Sequence, residues 1–152
     1  MKKLLIVLLI LIPLFIFLYQ ATTLSLEDFP KRKIKLDDQE LKVAVANNRN
    51  LQRQGLRNVK KLKGIDGMLF VYSKPVQHNF TMKDTFIPLR IGFFSAEGEL
   101  VDKKIMEPCS ENCKNYKSKE KFQYALELPQ QSEISFSSSS KLLFTHSFQS
   151  CK

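Results

Sequence analysis

A histidine, a lysine, an aspartate and a threonine stand close together in residues 78–85, where their side chains could move protons or bind a ligand. They are His78, Lys83, Asp84 and Thr85, with the soft sulfur of Met82 between them. An imidazole near a carboxylate could form half of a catalytic relay. However, no G-x-S-x-G motif presents a nucleophile to it. We therefore predict a binding site at these five residues, with no catalytic residue and no cofactor.

A second group with possible chemistry is the pair Cys109 and Cys113. Outside the cytoplasm paired thiols oxidise, and a short turn brings two Cβ atoms to bonding distance, so we predict a disulfide. A metal is the alternative, with His78, His146 or Cys151 as a third ligand. The paired C-x2-C spacings of a closed zinc site are missing, so we predict no metal site. The odd Cys151 remains open between a free thiol and an intermolecular bond.

The N-terminus carries a membrane-insertion pattern. Lys2 and Lys3 precede residues 4–19, which are apolar and uncharged. Extended to residue 26 this segment would span roughly 34 Å as a helix, enough for a bilayer core of about 30 Å. We predict a transmembrane signal anchor over residues 1–24, with membrane contact through residues 4–24 and the rest outside the cytoplasm. Cleavage is the alternative, but Ala21 and Thr23 match a cleavage site poorly, and it would leave a secreted or periplasmic protein.

The length and the net charge limit the number of domains and the class of partner. The 152 residues fit one domain, and 24 Lys+Arg against 15 Asp+Glu give a net charge of +9. The lysines past the anchor are scattered among acidic residues, without a recognition helix or an aromatic-basic motif. We therefore predict no nucleic-acid partner. Attraction to anionic envelope surfaces or acidic partners is the milder inference.

Past the anchor, the pattern predicts a polar, mobile linker over residues 25–40 and a globular domain over residues 41–148. Short strand patterns occur at residues 41–46, 68–72, 79–82, 87–94, 100–106, 122–128 and 141–148. Asn47 or Asn48 can cap a short helix that runs to Leu56, and Gly98 can take the positive φ of a tight hairpin. This spacing favours a mainly β (α+β) fold, a partly open barrel or sheet-rich domain with one short N-terminal helix.

The middle of the chain resembles domain-of-unknown-function family 192 (DUF192), a group of small, often exported prokaryotic proteins. The matching segments cover most of residues 41–144 and are residues 55–56, 67–71 and 80–89, then Gly98, Pro108, Tyr116 and residues 124–128. The resemblance implies a compact β-rich fold with a small helix and implies no activity. The chain departs from the family pattern at Arg57, Thr81, Arg90 and residues 129–131, so a pocket shared by the family would be altered here.

From these patterns we expect a membrane-anchored extracytoplasmic domain that serves as a non-enzymatic binding or accessory module of the cell envelope. One alternative is a small envelope enzyme with its site around residues 78–85. Another is a metal or redox role for the cysteines. Ligand, envelope partner and oligomeric state stay open at this stage.

Overall fold

Seven strands form one mixed sheet in residues 25–144, the part of the chain that the computed structural model describes. Two more strands form a small antiparallel pair, and one α-helix and one 3-10 turn complete the described elements. In chain order these are the 3-10 turn Leu26–Asp28, β1 Lys31–Leu36, β2 Gln39–Ala46, α1 Arg49–Gln54, β3 Gly67–Val76, β4 Asn79–Thr81, β5 Leu89–Phe94, β6 Leu100–Met106, β7 Asn115–Lys117, β8 Phe122–Pro129 and β9 Leu142–Leu143.

The large sheet has the order β6-β5-β8-β3-β2-β1-β9. Only β2 and β3 pair in parallel, joined by the crossover that contains α1. The sheet curls into a half-barrel, so that its far ends approach each other. Glu99 forms a bridge with Lys141, and the Leu142 N–H donates to the Gly98 carbonyl at 2.7 Å. The β5–β6 hairpin thereby reaches the opposite edge strand β9.

The central strands are buried on both faces. Along β3, Leu69 and Val71 pack with one hydrophobic cluster, whereas Phe70 and Tyr72 pack with the other. This division follows from the two-residue period of a strand. The cluster that contains Phe70 and Tyr72 is covered by α1 and by the β4–β7 pair, and the cavity described below opens on this side of the sheet.

The predicted β-rich, partly open barrel with one short helix is confirmed for residues 25–144. The helix begins after Asn48, whose side-chain oxygen accepts from the N–H groups of Asn50 and Leu51 at 3.1 and 3.0 Å. The predicted β5–β6 hairpin is also present, and Gly98 has a φ of +81°. Local capping and turn chemistry were therefore sufficient to locate these elements.

Residues 25–40 differ from the predicted linker, because they contain the 3-10 turn and the strand β1. Ile34 and Leu36 point into the core and are about 1% exposed. Lys31, Arg32, Lys33 and Lys35 occupy exposed positions of the same strand. The many basic residues made the alternating pattern of β1 hard to recognise. The strand is stabilised by pairing with β2 on one side and with β9 on the other.

Three predictions fall wholly or partly outside the described residues. They are the anchor over residues 1–24, the roles considered for His146 and Cys151, and the end of the strand predicted over residues 141–148. Of that strand, the structure describes Leu142–Leu143. Residues 25–144 contain no helix both long and apolar enough to cross a bilayer.

Candidate functional site

A cavity of about 470 Å³ lies between α1, the loop after it, β3, β4 and β8. We call it the α1 cavity. Its lining combines apolar, hydroxyl, amide and charged groups, namely Arg49, Gln52, Arg53, Gln54, Gly55, Leu56, Arg57, Phe70, Tyr72, His78, Asn79, Phe80, Thr81, Thr85 and Glu127. Cavities of roughly 300–1,000 Å³ with a few convergent polar groups are typical small-molecule sites.

The helix α1 positions one wall of the cavity. Its buried Leu51 faces the core, while Gln52 Nε2 donates to the Val71 carbonyl at 2.8 Å and ties the helix to β3. Gly55, with a φ of +51°, ends the helix beside the ring of Phe70. These contacts leave Arg49 and Arg53 at the rim.

Glu127 on β8 is the acidic residue of the cavity lining and is buried. Its backbone lies between Met68 of β3 and Ile91 of β5, and the residue is only 6% exposed. Within residues 25–144 its carboxyl group has no hydrogen-bond partner. Burial therefore raises the pKa of Glu127 to about 8, since the charged form loses its hydration. At neutral pH the side chain is mostly a neutral carboxylic acid.

Tyr72 lies on β3 close enough to Glu127 for the two groups to interact electrostatically. Burial, and secondarily the Glu127 charge, raises the pKa of Tyr72 well above its ordinary value. The Tyr72 ring also lies 5.2 Å from the His78 ring, centroid to centroid. A neutral phenol, a neutral carboxylic acid and an imidazole therefore border one space.

Three arginines supply positive charge to the same cavity. Arg49 and Arg53 are exposed at its rim, whereas Arg57, in the loop after α1, is half-buried. In the described part of the chain, none of the three guanidinium groups forms an ion pair or a hydrogen bond. The ion pairs found there are Lys33–Glu40, Lys104–Asp102 and Lys141–Glu99.

The structure separates the five residues predicted to bind a ligand. His78 and Thr85 line the α1 cavity, and Thr85 is 5% exposed. Met82 does not line it, because its side chain is buried in the hydrophobic core at 1% exposure. Lys83 is exposed and Asp84 is half-buried, and neither borders the cavity.

The backbone of residues 83–85 is held by the neighbouring cysteine loop. Lys83 and Thr85 both form bridges with Cys109, and the Asp84 N–H donates to the Cys109 carbonyl at 3.0 Å. The Asp84 carbonyl in turn accepts from the Asn58 N–H at 2.7 Å. The segment that ends at Thr85 is therefore fixed to the loop that follows α1, on the opposite wall.

The predicted disulfide between Cys109 and Cys113 is confirmed, with a Cα–Cα distance of 5.6 Å. This bond closes the loop of residues 109–113. Cys109, the first residue of the loop, forms the backbone contacts to residues 83–85. Within residues 25–144, no group of three or more His, Cys, Asp or Glu side chains is close enough together to hold a metal ion.

No sequence pattern predicted a role for Glu127, Tyr72, Arg49 and Arg53, whereas Arg57 and Thr81 were identified as departures from the family pattern that would alter a shared pocket. The alternation along residues 122–128 predicts a strand but does not indicate that both of its faces are covered. In the structure β8 is covered on both faces, and Ala125 lies in the core on the same face as Glu127. Because Gln123 and Glu127 both fit the alternation of the strand, no local signal marks Glu127 as buried.

Comparison with known proteins gives a family and a fold. The family model DUF192, described as "Uncharacterized ACR", matches residues 32–135. No curated protein matches the chain.

Two crystal structures resemble the fold. One is a Sinorhizobium meliloti protein provisionally described as a transcription regulator, with 24% identity over 75% of this chain and 93% of that chain and a TM-score of 0.63. The other is a Novosphingobium aromaticivorans protein of unknown function, with 16% identity over 81% of this chain and 99% of that chain and a TM-score of 0.64. At these identities the resemblance concerns the fold alone.

Proposed function

The chain belongs to the uncharacterised DUF192 family, and from that premise we propose that it is a membrane-anchored, extracytoplasmic binding module of the cell envelope. In this proposal residues 4–24 hold the protein in the membrane, and the α1 cavity takes a small ligand without transforming it. The observation that carries the binding role is the position of Glu127, which is 6% exposed, at a cavity that is also bordered by three arginines without an ion pair in residues 25–144.

The charge distribution near residue 25 supports the membrane placement. A groove beside Ser25 and Leu26 is lined by five basic residues, Lys31, Arg57, Lys60, Lys61 and Lys63. The groove begins next to the segment predicted to lie in the bilayer. Basic side chains near an anionic lipid surface contribute about 1 kcal/mol each. The groove therefore suits a domain held close to lipid head groups.

The disulfide supports the location outside the cytoplasm. Structural disulfides persist in oxidising compartments and are rare where thiol reductants are abundant. The Cys109–Cys113 bond therefore fits the export that Lys2, Lys3 and the apolar residues after them predict.

An enzyme at the same cavity is the second candidate function. It is favoured by His78, Thr85 and Glu127, which all line one space. Against it, no serine or cysteine thiol lines that space to be activated as a nucleophile, and Lys83 and Asp84 lie away from it. A hydroxyl of Thr81 or Thr85 would need a base held in hydrogen-bond contact, and the hydrogen bonds within residues 25–144 provide none.

Fractionation and protease accessibility test the placement. The full chain should sediment with membranes, and external protease should digest residues 25–152 in cells whose outer barrier has been opened. A variant without residues 1–24 should lose membrane association. Recovery of the full chain mainly in the cytosol would contradict the placement.

Native mass spectrometry tests the binding role. The full chain, purified in a mild non-ionic detergent, should retain a small molecule that Thr81→Trp removes, because the larger side chain at this exposed cavity position fills the entrance. Lys35→Trp, at an exposed position of β1, is the matched control and should retain the molecule. Equal retention by both variants would place the ligand elsewhere.

A further inference from the structure

The charges around the α1 cavity restrict the chemistry of its occupant. Arg49, Arg53 and Arg57 follow one another at four-residue intervals along α1 and the loop after it, and all three line the cavity. The fork of an arginine guanidinium matches the oxygen atoms of phosphate and carboxylate groups. In residues 25–144 no acidic side chain pairs with any of the three, so their donors are available.

Glu127 does not neutralise these arginines at neutral pH. Its pKa of about 8 keeps the carboxyl group mostly protonated, so it offers an O–H donor and little negative charge. The site around it is therefore positively charged, and its buried end can donate a hydrogen bond to a neutral oxygen of a ligand.

The remaining lining is suited to a less polar body. Leu56, Phe70 and Phe80 border the same space, and the volume of about 470 Å³ is sufficient for a small organic molecule. Charge at the rim and apolar surface below it divide the cavity into two chemically different parts.

We propose that the α1 cavity binds a small soluble organic anion, whose phosphate or carboxylate group contacts Arg49, Arg53 and Arg57 and whose less polar part lies toward Phe70 and Glu127. The inference rests on the proposed binding function and adds the class of ligand to it. It concerns this chain in particular, since Arg57 and Thr81, two of its departures from the family pattern, both line the cavity.

Three probes that share a benzyl group and carry a negative, a neutral or a positive polar group test this inference. They are benzyl phosphate, benzyl alcohol and benzylamine, titrated calorimetrically into the full chain in a non-ionic detergent. Benzyl phosphate should bind measurably, while the neutral and cationic probes should bind at least about tenfold more weakly, because charge-assisted hydrogen bonds contribute about 1.5–3 kcal/mol.

Substitution of the arginines locates the bound anion. The double variant Arg53→Gln/Arg57→Gln should weaken benzyl phosphate binding by about tenfold or more for the same reason. Arg32→Gln is the matched control, because Arg32 is an exposed arginine of β1 that does not line the cavity. Circular dichroism of each variant checks that the fold is retained.

The pH dependence of binding tests the role of Glu127. Ionisation above about pH 8 places a negative charge in the cavity, so benzyl phosphate affinity should fall between pH 7 and pH 9.5. The other charged or titratable groups in the lining are Tyr72 on β3, His78 before β4 and the three arginines. Glu127→Gln keeps a donor without the ionisation, and its affinity should change less over this range.

The outcomes separate the inference from the proposed function. Equal binding of the three probes, or unchanged affinity in the double arginine variant, would overturn the anion proposal. If benzyl alcohol or benzylamine binds and Thr81→Trp blocks it, the cavity is still a binding site and only the ligand class is wrong. Competition by phosphatidylglycerol nanodiscs would assign the anion to a lipid head group and overturn the soluble ligand. Absence of any probe binding, together with no retained molecule, would contradict both proposals.

Discussion

At the scale of single residues, Glu127 has an unusual environment for its side chain, because a carboxyl group is normally ionised and hydrated and this one is buried. A carboxyl group in water ionises near pH 4.5, yet here the strands β3 and β5 flank it and no described group hydrogen-bonds to it. Burial of an unpaired charge is costly, so the folded chain keeps its proton instead. The cavity is where this cost can be relieved, because a ligand can supply the missing partner.

Glu127 should make stability depend on pH. Its folded pKa of about 8 lies above the unfolded value near 4.5, so the folded state binds more protons between these values. The free energy of unfolding should therefore fall as pH rises from about 5 to 8, by at most about 1.4 kcal/mol per pH unit. Urea unfolding monitored by circular dichroism measures this. Glu127→Gln should flatten the profile in that window, and an unchanged slope would mean that Glu127 ionises normally in the fold.

At the scale of elements, the cysteine loop and the segment before β5 act together. The loop is cross-linked by Cys109–Cys113, and Cys109 forms bridges to Lys83 and Thr85. Asp84, which has a φ of +59°, connects this segment to Asn58 in the loop after α1. The disulfide therefore supports a cavity wall to which it contributes no side chain.

Removal of the disulfide should increase local opening at residues 83–85. It should have only a small effect on the unfolding free energy of the whole domain. In the chain-entropy model, a ring of about five residues contributes about 2 kcal/mol at most. Cys109→Ser/Cys113→Ser should therefore cost no more than about this amount of unfolding free energy, while amide exchange at residues 83–85 accelerates beyond the change seen in β8. Reduced wild-type protein serves as the control and should behave like the double variant. Equal acceleration at all sites would contradict a local role.

Sequence patterns located most elements because their signals are local. Asn48 marks the start of α1 and Gly98 the β5–β6 turn, and both act through backbone contacts only a few residues away. The strand β1 was missed because its stability depends on β2 and on the distant β9. Of the site, His78 and Thr85 were predicted, whereas Glu127 and Tyr72 reach the cavity from strands far along the chain. Their chemistry depends on tertiary burial, which one sequence does not specify.

At the scale of the whole molecule, two sequence-distant segments close the curled sheet. Gly98 packs directly against the backbone of Leu142, and a Cβ at position 98 would lie 2.3 Å from the Leu142 oxygen. On the other side of β9, the Asp37 carboxylate accepts from the Lys141 N–H at 2.7 Å and from the Ser140 hydroxyl at 2.9 Å. The edge strand is therefore held from both sides.

Gly98→Ala should destabilise this closure, and Gly64→Ala is its control. Both glycines have positive φ values, +81° and +68°, but Gly64 has no neighbouring atom within 4 Å. Backbone strain alone should cost about 1–2 kcal/mol in each variant. The clash with Leu142 should add about 1–3 kcal/mol to Gly98→Ala. Denaturant unfolding measures the difference, and equal losses in the two variants would show that the contact between Gly98 and Leu142 contributes little.

The pairing of β1 with β9 also affects the order in which the protein can be made. One edge of β1 pairs with the adjacent β2, but its other edge pairs with β9, more than 100 residues later in the chain, where Lys35 lies opposite Leu143 and Leu36 opposite Leu142. Contacts of such long range slow folding, because a large loop must close before they form. During translation the outer edge of β1 therefore stays unpaired until residues 142–143 have left the ribosome, so the sheet reaches its full width only late in synthesis.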